Sequence, residues 1–357
     1  MKKLELGVFL PMANGGWIIS DTTPKIDGSF DLNREVAILS EQLGYDFILS
    51  MMKWRGYGGH TNHWGESMEA MMLMSALSQC TSKIKIWATI HTILYHPALA
   101  AKMLMTLDHA SHGRAGVNIV SGAFKDEFAQ MGLWPEHLDH AQRYAYTDEW
   151  VTTLKKLWDE PRVDHDGEFF KLADCVSDPK PWQGRRPELI CAGMSERGLR
   201  FTAEHCDAAF VAGSTEEEIA RVSARAKEIA AEYGKTIKTF AMYTLIPGRS
   251  QAEADERVER YIDGVDSVAV ANMMASYGKK PDGRESALVS RSRGGFMTSR
   301  LAGTPESLTE QIVSTLRTAD LDGMMLIFAD YIGDLRLVGE QVLPRVREAF
   351  GAKGVAL

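Results

Sequence analysis

The residues of this chain most able to do chemistry sit at the ends of short apolar runs. Ser50 and Lys53 follow Phe47–Leu49, Thr89 and His91 close the run that begins at Ile84, and Asn118 lies between Val117 and Ile119 with Ser121 just beyond. Asn118 is the most demanding of these, because a buried amide without a partner costs about 1–3 kcal/mol. Either a planar ligand with mixed donors and acceptors or a second polar core group would satisfy it. A further candidate is Gly193-Met194-Ser195-Glu196-Arg197-Gly198. Ser195 opens a helical pattern whose free N–H groups suit a single phosphate, although a tight turn with an N-cap serine has the same pattern. Trp54, Tyr57, Trp64 and Trp134 fall in loop segments, where they either wall a flat ligand or pack the loops.

Several chemistries are disfavoured. The glycines at 193 and 198 have P-loop spacing but continue into Leu199-Arg200 instead of Lys-Ser/Thr, and no GxGxxG follows the first strand. There is no HExxH and no tight ligand cluster among the ten histidines, and no GxSxG elbow. Cys80, Cys175, Cys191 and Cys206 form no CxxC pair and read as free thiols. Forty Lys and Arg stand against 48 Asp and Glu, a net charge of −8 with no basic run, which argues against a nucleic-acid partner. The apolar start Leu6–Met12 is broken by Pro11 and reads as a strand, not a leader, and no stretch approaches the ~20 apolar residues of a membrane span. A cytoplasmic protein is expected.

The elements that must position these residues alternate along the chain. Eight strands are predicted at Leu4–Phe9, Phe47–Ser50, Ile84–Thr89, Ala115–Val120, Leu189–Cys191, Ala208–Val211, Thr239–Ile246 and Gly323–Phe328, nearly all followed by a helical pattern. Eight βα units predict an α/β fold, a closed (β/α)8 TIM barrel, here one domain over residues 1–357. Helices are predicted over Leu32–Leu43, about His140 to Leu157, Thr215–Tyr233, and from Thr304-Pro305-Glu306 to Ala319. Two insertions break the alternation: Ser121–Gln183 after strand four, with a hairpin at Val163–Leu172, and Gly264–Ala302 before strand eight, whose glycine-rich basic centre suits a lid.

The strings Gly7–Pro11 with Gly16–Ser20, Leu49–Gly59, Gly113–Gly122, Gln130–Pro135, Arg143-Tyr144, Gly167–Phe170, Pro179–Pro181 and Ile190–Ser195, in this order, resemble the bacterial-luciferase-like FMN-dependent monooxygenases, and among them the pyrimidine monooxygenase (RutA) type. The resemblance implies a TIM barrel that binds FMN non-covalently. A separate flavin reductase supplies it as FMNH2 from NAD(P)H, and its reaction with O2 gives a flavin peroxide that attacks a small-molecule substrate. It further implies that Met52, Lys53, Asn118, Glu127, Arg143, Tyr144 and Ser195 hold the cofactor, that Thr89 and Asn118 are catalytic beside the flavin edge, and that the enzyme is a homo-oligomer. Trp54, Tyr57 and Ala123 are expected to line the substrate side.

The chain also departs from that pattern. Ser121-Gly122-Ala123 stands where the pyrimidine enzymes have Thr-Gly-Trp, and His91 and His96 replace smaller or apolar residues. The substrate expected from the resemblance is uracil or a related pyrimidine ring. The missing tryptophan leaves room for a sulfone, a haloaromatic or another heterocycle. A deazaflavin-dependent dehydrogenase and a non-catalytic flavin-binding protein are the alternatives in function.

Overall fold

The structure is a computed structural model that describes residues 4–122, 124–277 and 294–351. Eight parallel strands close on themselves: β1 (Glu5–Phe9), β2 (Phe47–Leu49), β3 (Lys85–His91), β4 (Ala115–Val120), β7 (Glu188–Cys191), β8 (Ala208–Val211), β9 (Lys238–Pro247) and β11 (Gly323–Phe328). Closure is made by β8 pairing with β9, Ala208 opposite Lys238. All eight coincide with the predicted strands to within a residue or two, as expected for the TIM barrel. A ninth parallel strand, β10 (Ser299–Gly303), adds to the outer part of β9, Ser299 opposite Tyr243.

Register explains how the barrel is filled. The first residues of four alternate strands, Glu5, Lys85, Glu188 and Lys238, form a closed ring of opposite charges at the N-terminal end. The Lys85 ammonium lies 2.9 Å from Glu5 and 2.8 Å from Glu188, and the Lys238 ammonium 2.7 and 3.0 Å from the same two carboxylates. Burial works to raise the pKa of the Glu5 carboxyl, but the two lysines outweigh it and hold it below the usual range. Above the ring, Phe47, Trp87, Phe210 and Phe240 form an aromatic plug, with Phe47 and Trp87 stacked at 4.0 Å. Gly116 is the complement of that plug, because a Cβ there would meet the Trp87 indole at 2.3 Å. With the lower half filled, the polar ends of β3 and β4 are left facing the open C-terminal mouth, where barrels of this kind place their sites.

The first insertion positions the site. Helix α5 (His140–Asp159) starts at a capping box, Asp139 accepting from the Gln142 N–H while the Gln142 side chain accepts from the Asp139 N–H. That start sets Arg143 and Tyr144 in its first turn. The predicted hairpin is β5 (Val163–Asp166) with β6 (Lys171–Cys175), antiparallel. Glu149 of α5 ties it down by accepting from the Phe169 and Phe170 N–H groups at 3.0 and 2.8 Å. The second insertion is structured at both described ends. Helix α9 (Ser267–Tyr277) is anchored by buried Asp266, which accepts from Thr61 and Ala269, and Phe296 bridges to Ile18. The centre of the expected lid, residues 278–293, and Ala123 lie outside the described residues.

Candidate active site at the C-terminal mouth

Three groups of side chains face the mouth. The first is a relay on the barrel floor. Asn118 donates from Nδ2 to the Thr89 hydroxyl at 3.1 Å, and Thr89 in turn donates to the Ser50 carbonyl. Register places Thr89 directly opposite Asn118. The Thr89 hydroxyl therefore gives its proton to the backbone and accepts from the Asn118 amide. The Asn118 Oδ1 is buried and has no partner among the described residues.

The second group is a buried ion pair. Lys53 and Glu127 are 3.0 Å apart with side chains 4% and 2% exposed, so both charges depend on each other. Glu127 also accepts from the Trp54 N–H, and the Lys53 ammonium stands 4.2 Å from the Phe124 ring centroid and 4.9 Å from that of Tyr57. Burial pulls the Lys53 pKa down, only partly offset by Glu127. This pair, with Tyr57, Phe124 and Asn272, walls a cavity of about 550 Å³ between the loop after β2, helix α4 (Lys125–Ala129) and α9. Tyr57, expected on the substrate side, is one of the cavity's lining residues. The Trp54 side chain, 45% exposed, is absent from this wall and contributes its backbone instead. Met52 is buried beneath, next to His91. Trp64 is loop packing, its indole N–H donating to the Gly16 carbonyl and its ring lying 5.0 Å from Trp17.

The third group lies at the start of α6 (Glu196–His205). Ser195 caps it by accepting from the Gly198 N–H at 3.0 Å, and the Ser195 and Ser121 side chains lie near enough to the Tyr144 hydroxyl to offset part of the rise that burial gives its pKa. A Cβ on Gly198 would come within 2.6 Å of that hydroxyl and 2.9 Å of Gly193, and one on Gly193 within 2.9 Å of Gly198. The result is a cradle of hydroxyls and helix N–H groups kept open by two glycines, suited to an anion. Arg143, one residue before Tyr144, makes no ion pair among the described residues; its guanidinium donates to the Leu138 carbonyl and lies 4.9 Å from the Trp134 ring. Arg197 is instead paired with Asp148. Sequence reasoning missed Phe124, whose ring faces the Lys53 ammonium, and Asn272, whose side chain donates to the Tyr57 carbonyl, because both come from segments far from Lys53 in sequence.

The fold and this mouth define a flavin-dependent monooxygenase of the luciferase-like class, and the chain belongs to that family: residues 4–321 match luciferase-like monooxygenase. Its curated relatives include pyrimidine monooxygenase RutA of Caulobacter vibrioides, 34% identical over 358 residues, 98% of this chain and 100% of the relative. The same-named protein of Acinetobacter baylyi is 34% identical over 96% of this chain and 94% of its own. Among solved structures, riboflavin lyase (RcaE) with modified FMN and riboflavin superposes with a TM-score of 0.86 at 23% identity, covering 99% of this chain and 93% of that one. Long-chain alkane monooxygenase (LadA) gives 0.85 at 22%, covering 100% and 93%. These two share the fold. No helix among the described residues is long and apolar enough to cross a membrane.

Proposed function

We propose that this enzyme uses FMN, delivered reduced by a separate NAD(P)H-dependent reductase, to insert one atom of O2 into a small planar ring bearing an amide or lactam. Uracil is the first substrate to test, because the relatives are named for pyrimidines. The observation that carries the reading is the pairing of an anion cradle at Ser195 and Gly198 with a buried, unpartnered Asn118 carbonyl at one barrel mouth. A flavin mononucleotide has a phosphate at one end and a hydrogen-bonding ring at the other, so the residues present fit it.

In this reading the Ser195 and Tyr144 hydroxyls, the free N–H groups of α6 and the uncommitted Arg143 charge hold the phosphate. Asn118 holds the polar ring edge, with Thr89 fixing its orientation. Bound reduced flavin supplies the electrons and the oxygen activation. Lys53 and Glu127 keep a charged yet neutralised wall beside the ring, and Tyr57 and Phe124 exclude water on the substrate side. Affinity for FMN against riboflavin, which lacks the phosphate, tests the assignment. FMN should bind at least about tenfold tighter, and Arg143→Ala should weaken FMN by roughly 1.5–3 kcal/mol while leaving riboflavin unchanged. Equal affinity of the parent protein for both flavins would remove the phosphate from this cradle.

A further inference from the structure

His91 is the last residue of β3 and, by the two-residue period of a strand, shares the inward side of Trp87 and Thr89. It lies one step above the Thr89–Asn118 relay, 3% exposed, with its ring 5.0 Å from that of Phe128. The Met52 backbone carbonyl faces the ring as an acceptor, and Nδ1 has no partner among the described residues. Burial brings its pKa down to about 4; the Met52 carbonyl opposes this and the Lys53 charge adds to it, so the imidazole is neutral near pH 7. A neutral imidazole has one N–H and one lone pair. With the N–H turned to Met52, Nδ1 is an acceptor fixed in place, and a buried acceptor without a donor is costly.

Among the described residues, the side chains shown beside the ring supply no free donor. Phe128 has none, and the Lys53 ammonium is engaged by Glu127 and by the faces of Phe124 and Tyr57. His63 offers a contrast. Both its ring nitrogens are also unpartnered, but it is stacked between Tyr57 and Trp64, and Gly15 lies so close that a Cβ there would be 2.6 Å from its Nδ1. His63 is closed in by loop packing, whereas His91 ends β3, close enough to Lys53 of the ion pair to feel its charge.

We propose that His91 Nδ1 accepts a hydrogen bond from a ring N–H of the substrate, and so selects cyclic amides and imides over rings of the same shape that carry no N–H. This rests on the reading of the mouth as a flavin and substrate site. A site built to hydrogen-bond a substrate N–H rejects analogues lacking it, because its own buried group is then left unpaired.

The test is equilibrium titration of the FMN-loaded protein with uracil and with 1,3-dimethyluracil, for the parent chain, His91→Leu and His91→Asn. Asn can present its Oδ1 near the position of Nδ1. The parent should prefer uracil by at least about thirtyfold. His91→Leu should bring the two dissociation constants to within about threefold by weakening uracil, and His91→Asn should restore part of the preference. FMN affinity and thermal midpoint should stay close to the parent's in both variants. An unchanged preference in His91→Leu, a parent that does not distinguish the two rings, or a loss of FMN affinity equal to the loss for uracil would each overturn the proposal; the last would make His91 a flavin contact. If uracil is oxygenated while His91→Leu keeps its preference, only the role of His91 fails. If a sulfone is oxygenated and no pyrimidine binds, the substrate reading fails with it and the flavin assignment stands.

Discussion

Lys53→Met should destabilise the fold by about 3–5 kcal/mol, because it strands the Glu127 carboxylate in a site where its side chain is 2% exposed. The Trp54 N–H remains on Glu127, but one neutral donor cannot replace an ammonium. Adding Glu127→Gln removes the charge while keeping an oxygen for Trp54, so the double variant should recover most of the loss. Denaturant unfolding of the parent, both single variants and the double variant gives the coupling energy directly. Single variants that each cost less than about 1 kcal/mol, without coupling, would show that the pair is hydrated and that the cavity wall is not as dry as its burial implies.

Asn118→Leu should act in the opposite sense on stability and binding. It removes a buried carbonyl that has no partner among the described residues, so the flavin-free protein should be unchanged or slightly more stable. It should weaken FMN by about 1–3 kcal/mol, since the ring edge loses its matching amide. The competing view, a core asparagine that merely supports β4, predicts the reverse: a lower unfolding midpoint, through the lost bond to Thr89, with flavin affinity intact. Titration with oxidised FMN alongside thermal unfolding separates the two.

What could be read from the sequence was set by local rules. The βα alternation located all eight barrel strands, and Thr304-Pro305 and Thr215 marked helix starts that the structure keeps. Asn118 stood out because an amide in an apolar strand is conspicuous, and Ser195 because capping is local. Partners across the barrel were not legible. Nothing local pairs Glu5, Lys85, Glu188 and Lys238, and only register assembles them into a ring. Thr89 has the inward position expected of it, but the acceptor of its proton, the Ser50 carbonyl, belongs to a neighbouring chain segment that periodicity cannot assign. The choice left open for Trp64, ligand wall or loop packing, was not legible for the same reason, its partner Gly16 being far away in sequence.

The most direct measurement is oxygen transfer itself: the protein with FMN, a flavin reductase, NADH and ¹⁸O2, offered uracil, other N–H rings, sulfones and haloaromatics, with products read by mass spectrometry. A single ¹⁸O atom should appear in an N–H ring product, in amounts that depend on both the protein and the flavin. No ¹⁸O in any product across that panel, with FMN demonstrably bound, would contradict the oxygenase assignment.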